Sequence, residues 1–423
     1  MERNSEKYST YLQILRKELI PAMGCTEPIA VAYCAAIAGK TLGCLPERVE
    51  IEASGNIIKN VKSVIVPNTD GRRGVEAAAA VGIIAGDDSA GLEVISHVSE
   101  EDKRRLGEYL ETTPIKVIPA KSELVLDVTV SVFSGESSAK VRIINHHTGL
   151  ALVEKDGQVL FEDEPVNPAA ESGLDYGLLS VEDIYDFAQS LDVEDVRELF
   201  DRQIEYNCAI AGEGLNGDYG ANIGKVLLNQ GDDVHTLARA KAAAASDARM
   251  GGCELPVIIN SGSGNQGITV CVPVVEYALE LGSSKEKLYR ALAISNLTAI
   301  HLKEGIGRLS AYCGAVSAGA SAGAAVSYLR GGDLDSISHA LVNALAISSG
   351  MVCDGAKPSC AAKIAVAVDS GLLAMEMYDA GQQFYGGDGI ILKGVENTIR
   401  NVGVLGRHGM KETDRTIIEL MTK

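Results

Sequence analysis

Hydrophobic residues near the N-terminus recur at helical spacing. Tyr8, Leu12 and Leu15 are three or four residues apart, which places their side chains on one face of a helix. An Ala-rich apolar run at residues 29–38 predicts a second helix. Residues 21–28 lie between the two runs and begin and end with proline, which interrupts a helix. We therefore expect two helices joined by a short loop.

The pattern changes after residue 45. Short segments that alternate or are rich in β-branched residues are separated by turn signals such as Ser134-Gly135, as expected of strands. The predicted strands are 49–53, 62–66, 92–97, 124–133, 139–145 and 150–153, and the predicted helices are 73–85 and 100–111. This mixture predicts an inserted α/β domain at residues 46–165.

The second half of the chain returns to helical periodicity after a predicted linker at 165–177. The predicted helices are 180–205, 224–249, 284–301, 309–329, 335–351 and 360–378. The fold class is therefore α+β, with a mainly helical core domain formed by residues 1–45 and 166–423. Because small residues are abundant and aromatics make up only 4% of the chain, we expect the helical parts to pack closely together.

Composition and charge exclude several classes of partner. A net charge of −19 argues against nucleic acid and against an anionic membrane surface. Residues 309–329 carry no charge, but Ala, Ser and Gly dominate this stretch and make it too weakly apolar to span a bilayer. The polar N-terminus lacks a signal-peptide pattern. We expect a cytoplasmic protein without a membrane partner, and a homo-oligomer is one of the states that the sequence allows.

The nine cysteines are an odd number in a chain without a secretion signal, which argues against a disulfide framework. Cys353 and Cys360 flank a loop that contains Gly355 and Pro358, so both thiols can turn to one side. Cys360 lies near the predicted start of a helix, where the dipole favours a thiolate. Two buried structural cysteines would give the same pattern.

A third thiol, Cys313, lies in a stretch of small residues that allows close approach of a metal site. Three thiolates suit either zinc or an iron–sulfur cluster, and a [4Fe–4S] cluster with three cysteines keeps one iron open as a Lewis acid. Cys25 lies beside Thr26 and Glu27 before a predicted helix. It fits a fourth ligand, a base or an ordinary turn residue, and a helix N-terminus would lower its pKa.

Two glycine-containing loops are suited to binding an anionic group through backbone N–H groups. The candidate residues are Ser261, Ser263 and Asn265 in the first loop, and Asn68 and Thr69 in the second. Neither loop fits a nucleotide-binding fingerprint. Ordinary tight turns would explain both loops equally well. His146, His147 and His301 are weaker candidates.

Taken together, these motifs resemble the iron–sulfur-dependent L-cysteine desulfidases, which are related to the α-domain of bacterial L-serine dehydratases. The motifs are Gly-Cys-Thr-Glu-Pro at residues 24–28, Ser-Gly-Ser-Gly-Asn-Gln-Gly at 261–267, Cys313, and Cys353-Asp-Gly-Ala-Lys-Pro-Ser-Cys360. The resemblance implies that Cys313, Cys353 and Cys360 hold a [4Fe–4S] cluster and that Cys25 accepts a proton from the substrate.

The function implied by this resemblance is β-elimination of a small amino acid, with L-cysteine giving pyruvate, ammonia and hydrogen sulfide. An L-serine or L-threonine dehydratase of the same cluster type is the nearest alternative, because a hydroxyl and a thiol differ little in size. A non-catalytic zinc–thiolate protein is an alternative from another class. A pyridoxal-phosphate lyase ranks low, because no lysine has a recognisable Schiff-base context.

Overall fold

The computed structural model describes residues 1–122, 124–163, 174–307 and 309–422. Its helices are α1 (Glu6–Glu18), α2 (Thr26–Leu42), α3 (Gly55–Val61), α4 (Gly74–Ala85), α5 (Glu100–Thr112), α6 (Val181–Ser190), α7 (Arg197–Asn216), α8 (Ile223–Leu228), α9 (Val234–Met250), α10 (Gly264–Glu280), α11 (Lys285–Ile306), α12 (Gly314–Leu329), α13 (Leu334–Ser348), α14 (Ser359–Asp379), α15 (Val395–Val404) and α16 (Lys411–Thr422). The α+β class predicted from the sequence is confirmed.

The strands form one large sheet and one small ribbon. They are β1 (Pro21–Met23), β2 (Arg48–Ala53), β3 (Ile115–Pro119), β4 (Asp127–Ser134), β5 (Ser137–Ile144), β6 (Leu150–Lys155), β7 (Gln158–Glu162) and β8 (Pro256–Ile258). The large sheet has the order β3-β2-β4-β5-β6-β7, parallel between β2 and β3 and antiparallel elsewhere. Strands β1 and β8 pair antiparallel and so join the N-terminal segment to the second half of the chain.

Helix α2 joins the N-terminal segment to this sheet. It packs against α4 and lies on β4 and β5, and the Cys34 thiol donates to the carbonyl oxygen of Val141 at 3.3 Å. A Cβ at Gly82 of α4 would lie 2.1 Å from the carbonyl oxygen of Ala32. The partner rich in small residues that α2 requires is thus α4, which belongs to the predicted insertion. Helix α1 instead packs on the second half of the chain, where the rings of Tyr8 and Tyr11 contact Phe187.

The second half is a set of closely packed helices around α12. Along α12, a Cβ at Gly319 would lie 2.3 Å from the Ala367 carbonyl oxygen, and one at Gly323 would lie 2.3 Å from that of Gly371. Such close backbone approach between α12 and α14 requires residues without a side chain. Within the described ranges, no helix has the length and apolarity that crossing a membrane requires.

Several predicted elements differ from the observed ones. The predicted strand at 62–66 is a turn after α3 that makes one isolated bridge, from Ile65 to Arg73. The one at 92–97 is the end of a 3-10 helix followed by a turn. The predicted helix 180–205 is two helices, and α7 continues to Asn216. The pattern missed α10, whose interior contains Pro273 and many β-branched residues. The predicted domain boundary and most of the linker fall in residues 164–173, outside the described residues, and the domain division stays a prediction.

Candidate functional site

A cavity of about 380 Å³ lies between the α/β part and the helical part of the chain. Cys25, Cys313, Cys353 and Cys360 all line it, although they come from distant parts of the sequence. Ser261, Ser263 and Asn265 lie on the same cavity. The fold therefore brings seven of the nine predicted site residues together.

Cys25 is the residue immediately before α2, where its backbone is extended. Gly24 precedes it with a φ of +59°, and a Cβ there would lie 2.3 Å from the Pro67 ring. Both the left-handed backbone and the close contact favour glycine. The chain is thus held tightly just before the thiol, which is 3% exposed.

The Cys25 thiol belongs to a buried hydrogen-bonded network. It donates to Glu27 Oε2 at 3.1 Å, and Asn60 Nδ2 donates to Glu27 Oε1 at 2.9 Å. The Thr26 hydroxyl lies 3.1 Å from Glu27 Oε2 and 3.1 Å from the carbonyl oxygen of Gly262. Residues from α3 and the loop before α10 therefore meet α2 at Glu27 and Thr26, directly beside the Cys25 thiol.

The electrostatics of this network differ from the sequence-based prediction. Burial raises the pKa of the Cys25 thiol well above its usual range, the nearby Glu27 charge adds to this rise, and Arg249 opposes it. Burial also works to raise the pKa of Glu27, but the charge of His147 and the hydrogen bond from Cys25 outweigh it and hold that pKa below its usual value. Cys25 is at a helix N-terminus as predicted, but the predicted lowering of its pKa is wrong because burial dominates.

The other three cysteines are positioned by backbone contacts. Cys313 directly precedes α12, and its N–H donates to the Met351 carbonyl oxygen at 3.0 Å. The N–H of Cys353 donates to the Ala311 carbonyl oxygen at 2.6 Å. Cys360 is the second residue of α14, so its predicted place at a helix start is confirmed.

The loop between Cys353 and Cys360 is held from two sides. A Cβ at Gly355, where φ is +90°, would lie 2.3 Å from the carbonyl oxygen of Lys59 in α3. Lys363 donates to the carbonyl oxygen of Val352 at 2.8 Å and pairs with Asp354. These contacts fix the loop between α3 on one side and α14 on the other.

The three thiols influence one another electrostatically. Burial raises the pKa of Cys313 to about 12, and the negative charges of Cys353 and Cys360 contribute to that rise. Burial likewise raises the pKa of Cys360. In the described ranges, no group of three or more His, Cys, Asp or Glu side chains is placed to hold a metal ion.

The predicted anion-binding loop precedes α10 and lies beside Arg249. Ser263 caps α10 by accepting from the Gln266 N–H, and the Ser261 hydroxyl donates to Asn260 Oδ1 at 2.8 Å. Asn265 Oδ1 accepts from Arg249 Nη1 at 3.0 Å. In this structure, these three predicted residues make intramolecular contacts at the edge of the cavity.

Asn68 and Thr69 are the two predicted residues that do not line the cavity. Asn68 Nδ2 donates to the Ile95 carbonyl oxygen at 2.7 Å and lies 3.6 Å from the Met23 sulfur. The Thr69 hydroxyl donates to the Val66 carbonyl oxygen at 2.7 Å. This loop therefore supports the segment before Cys25, and the geometry adds nothing to its predicted role in substrate binding.

Comparison with known proteins identifies the family. The model of the serine dehydratase alpha chain family matches residues 89–419. The chain belongs to this family. The serine dehydratase alpha chain match includes Cys313, Cys353, Cys360 and the Ser261–Asn265 loop, and it begins after Cys25.

Relatives of this serine dehydratase alpha chain family member match nearly its whole length. The UPF0597 protein of Desulfitobacterium hafniense strain Y51 is 57% identical, over 100% of this chain and 98% of its own. The UPF0597 protein of Lachnoclostridium phytofermentans is 50% identical, over 98% and 99% of the two chains. That of Treponema denticola is 47% identical, over 100% of both. These full-length matches extend across the Cys25 segment.

Sequence reasoning missed five polar residues of this serine dehydratase alpha chain site. Glu27 appeared only as a neighbour of Cys25 and Gln266 only within the 261–267 motif, and the other three were not singled out; the five are Glu27, Asn56, Asn60, Arg249 and Gln266. Each lines the cavity and is at most 8% exposed. The sequence did carry a signal for Arg249: a charged residue that shortly follows a run of four alanines in a predicted helix is a candidate for a buried functional position.

Proposed function

We propose that this serine dehydratase alpha chain family member is an L-cysteine desulfidase, a lyase that eliminates sulfide from L-cysteine to give pyruvate, ammonia and hydrogen sulfide. One observation carries the proposal: Cys25 and the cysteines 313, 353 and 360 line the same cavity. This arrangement combines the proposed proton acceptor with a set of thiols that can bind metal, the two functions that a metal-assisted elimination uses.

The three cysteines fit a [4Fe–4S] cluster by the chemistry of their donors. Thiolates are the ligands of such clusters, and Cys313 lies close enough to both Cys353 and Cys360 for their charges to alter its pKa. Each thiolate of a cluster binds a different iron, whereas four zinc ligands must surround one ion. When bound, a cluster with three protein ligands would supply a Lewis-acidic iron for the departing β-sulfur.

The residues of the chain supply the proton transfers. The thiolate form of Cys25 removes the proton from the substrate Cα, and the nearby charge of Arg249 stabilises that thiolate. The thiol that forms then donates to Glu27 Oε2, the hydrogen bond of 3.1 Å seen in this structure. Asn60 holds the Glu27 carboxylate during this step. Loss of the β-thiol leaves an aminoacrylate, which tautomerises and reacts with one water to give pyruvate and ammonia. A positioned base of this kind contributes about 10²–10⁴-fold.

A second candidate substrate has specific support. The matching family model describes the serine dehydratase alpha chain, and this favours a hydroxyl leaving group on the same carbon skeleton. L-Serine would give pyruvate and ammonia, and L-threonine would give 2-oxobutyrate and ammonia. The same cavity residues would carry both reactions.

Anaerobic reconstitution with iron and sulfide tests the proposal. The reconstituted protein is assayed for 2-oxo acid and sulfide with L-cysteine, L-serine and L-threonine. We expect the highest kcat/KM with L-cysteine. A higher value with L-serine would identify a dehydratase, and a colourless zinc-containing protein that releases no 2-oxo acid would contradict both assignments.

Iron content tests the ligand assignment separately. We expect Cys313→Ser, Cys353→Ser and Cys360→Ser each to lower bound iron, because each replaces a thiolate ligand. Cys44→Ser is the matched control, since Cys44 is exposed and lies away from the cavity lining. Unchanged iron content in any of the first three variants would remove that cysteine from the ligand set.

A further inference from the structure

Four buried polar atoms on the cavity wall have no hydrogen-bond partner in the part of the chain that the structure describes. They are Asn56 Oδ1, Asn60 Oδ1, Gln266 Oε1 and Arg249 Nε. Their residues are 7%, 6%, 4% and 3% exposed, respectively. Buried polar groups are nearly always paired, so four such atoms on one cavity indicate that a polar ligand completes them.

The four atoms divide into two chemical kinds. Three are amide oxygens, which accept hydrogen bonds, and one is a guanidinium N–H, which donates. The orientation of the Asn60 amide is fixed independently, because its other end donates to the Glu27 carboxylate at 2.9 Å and a carboxylate only accepts. The oxygen of Asn60 is therefore the end that lacks a partner.

The backbone makes room for two of these groups. A Cβ at Gly264 would lie 2.3 Å from Arg249 Nε, and one at Gly314 would lie 2.6 Å from Gln266 Cδ. Gly314 directly follows Cys313. The Gln266 amide is thus packed beside the predicted cluster ligands, while Asn265 orients Arg249 through the 3.0 Å hydrogen bond to Nη1.

We propose that these groups form a recognition site for the zwitterionic end of an α-amino acid. Arg249 binds the α-carboxylate, and the amide oxygens of Asn56, Asn60 and Gln266 accept from the α-ammonium. An ammonium has three N–H donors, matching three acceptors, and a guanidinium suits a carboxylate. The inference rests on the proposed elimination reaction and assigns substrate contacts that the sequence did not reveal.

Binding of unreactive ligands tests this site on the anaerobically reconstituted protein. L-Alanine carries both charged groups, propionate only the carboxylate and propylammonium only the amine, and none has a β-leaving group. We expect Arg249→Gln to weaken L-alanine and propionate about ten- to a hundredfold while sparing propylammonium. Asn56→Leu and Gln266→Met should weaken L-alanine and propylammonium similarly while sparing propionate. Isothermal titration calorimetry measures each affinity.

Arg239→Gln is the matched control. It lies on the same helix as Arg249 but pairs with Asp369 at 2.9 Å and is not among the cavity-lining residues, so all three affinities should stay at wild-type values. If Arg249→Gln fails to fold, Arg249→Lys keeps the charge but loses the planar fork. We expect it to show the same ligand pattern with a smaller loss.

The outcomes separate this inference from the proposed function. Unchanged L-alanine affinity in the Arg249 variants, or equal weakening of propionate and propylammonium in every variant, would overturn the recognition site. Elimination activity is measured on the same preparations. Protein that binds the three ligands in the expected pattern but releases no 2-oxo acid supports the site and contradicts the reaction. Protein that releases 2-oxo acid but whose L-alanine affinity does not change in the Arg249 variants supports the reaction and contradicts the site.

Discussion

The two walls of the cavity are built by different means. The cysteine wall, formed by Cys313, Cys353 and Cys360, is held by backbone hydrogen bonds and by helices in direct backbone contact. The wall formed by α2 and α3 is held by side-chain hydrogen bonds that converge on Glu27. Both walls rest on closely packed helices, because α2 also approaches α4 through its backbone. They differ at the cavity itself: main-chain hydrogen bonds position the cysteine wall, whereas side-chain hydrogen bonds around Glu27 position the second, which we call the polar wall.

This difference suits the role proposed for each wall. Ligands of a cluster must stay at fixed separations, and close-packed backbone is the least deformable part of a protein. A proton acceptor must change its charge during turnover, and a buried network of polar side chains sets the energy of that change. Substitutions on the two walls should therefore fail in different ways.

The largest expected effect is loss of activity without loss of iron on the polar wall. Cys25→Ser replaces the proposed base with a hydroxyl, which is far less acidic than a thiol. We expect kcat to fall about 10²–10⁴-fold, with the iron content of the reconstituted protein unchanged. Anaerobic assays paired with iron determination measure both quantities.

The control for this variant is Cys34→Ser, another buried cysteine on α2. Cys34 faces the sheet, where its thiol donates to Val141, so this substitution should leave kcat within a few-fold of the wild type. Iron loss in Cys25→Ser would make Cys25 a ligand, and the contrast between the two walls would no longer hold.

The next effect concerns stability and belongs to the cysteine wall. In Gly323→Ala the new methyl carbon would lie 2.3 Å from the Gly371 carbonyl oxygen, so α12 and α14 must separate. We expect a cost of about 1–3 kcal/mol in the free energy of unfolding, with a lower Tm and reduced iron content. Thermal denaturation with and without reconstitution measures the effect.

Gly212→Ala makes the same chemical change where space is open. No heavy atom lies within 4 Å of a Cβ at that position of α7, and alanine favours a helix over glycine by roughly 0.5–1 kcal/mol. Its Tm should equal or exceed that of the wild type. Equal Tm changes in the two variants would show that backbone contact does not hold the cysteine wall together.

The sequence predicted the cysteine wall better than the polar wall. Cysteine is a rare residue, and the spacing of Cys353 and Cys360 around Gly355 marks a local turn that needs no long-range information. Cys313 lies on the same cavity through the short pairing between Tyr312 and Val352. The resemblance to a known family supplied that link, which spacing alone does not carry.

The polar wall depends on contacts between distant segments. Asn60 and Glu27 are 33 residues apart. The same holds elsewhere on the cavity, where Arg249 and Asn265 meet from two different helices, α9 and α10. Asparagine and glutamine are common on surfaces, so their burial is visible only after folding. The sequence also predicted anion binding by the backbone N–H groups of the glycine-containing loops and not by a cationic side chain, although the side chain of Arg249 lies in the site. Net charge describes the surface as a whole and does not exclude a single buried arginine.

The smallest expected effect is a change in the pH dependence of folding stability, and it concerns Glu396, a residue outside both walls. Glu396 on α15 accepts from His301 Nε2 at 2.8 Å and from the Val181 N–H at 2.7 Å. Burial works to raise the pKa of Glu396, but His301 outweighs it and holds that pKa below its usual value. A carboxylate with a lowered folded-state pKa stabilises the fold above its unfolded pKa, and this stabilisation is lost as the pH falls through the folded value.

We therefore expect wild type to be more stable than Glu396→Gln near neutral pH by about 0.5–1 kcal/mol, a modest figure because Glu396 is partly exposed and screened by solvent. The Tm difference should shrink as the pH falls below about 4.5, where the unfolded-state carboxylate also protonates. The exposed Glu286→Gln variant, whose native carboxylate pairs with Arg290 one turn away, should show a smaller difference at neutral pH. If the Tm difference between Glu396→Gln and wild type instead grows as the pH falls, the carboxylate of Glu396 does not stabilise the fold in the way that its lowered pKa implies. The acid-induced loss of stability would then have to come from other carboxylates, such as Glu27 in the polar wall.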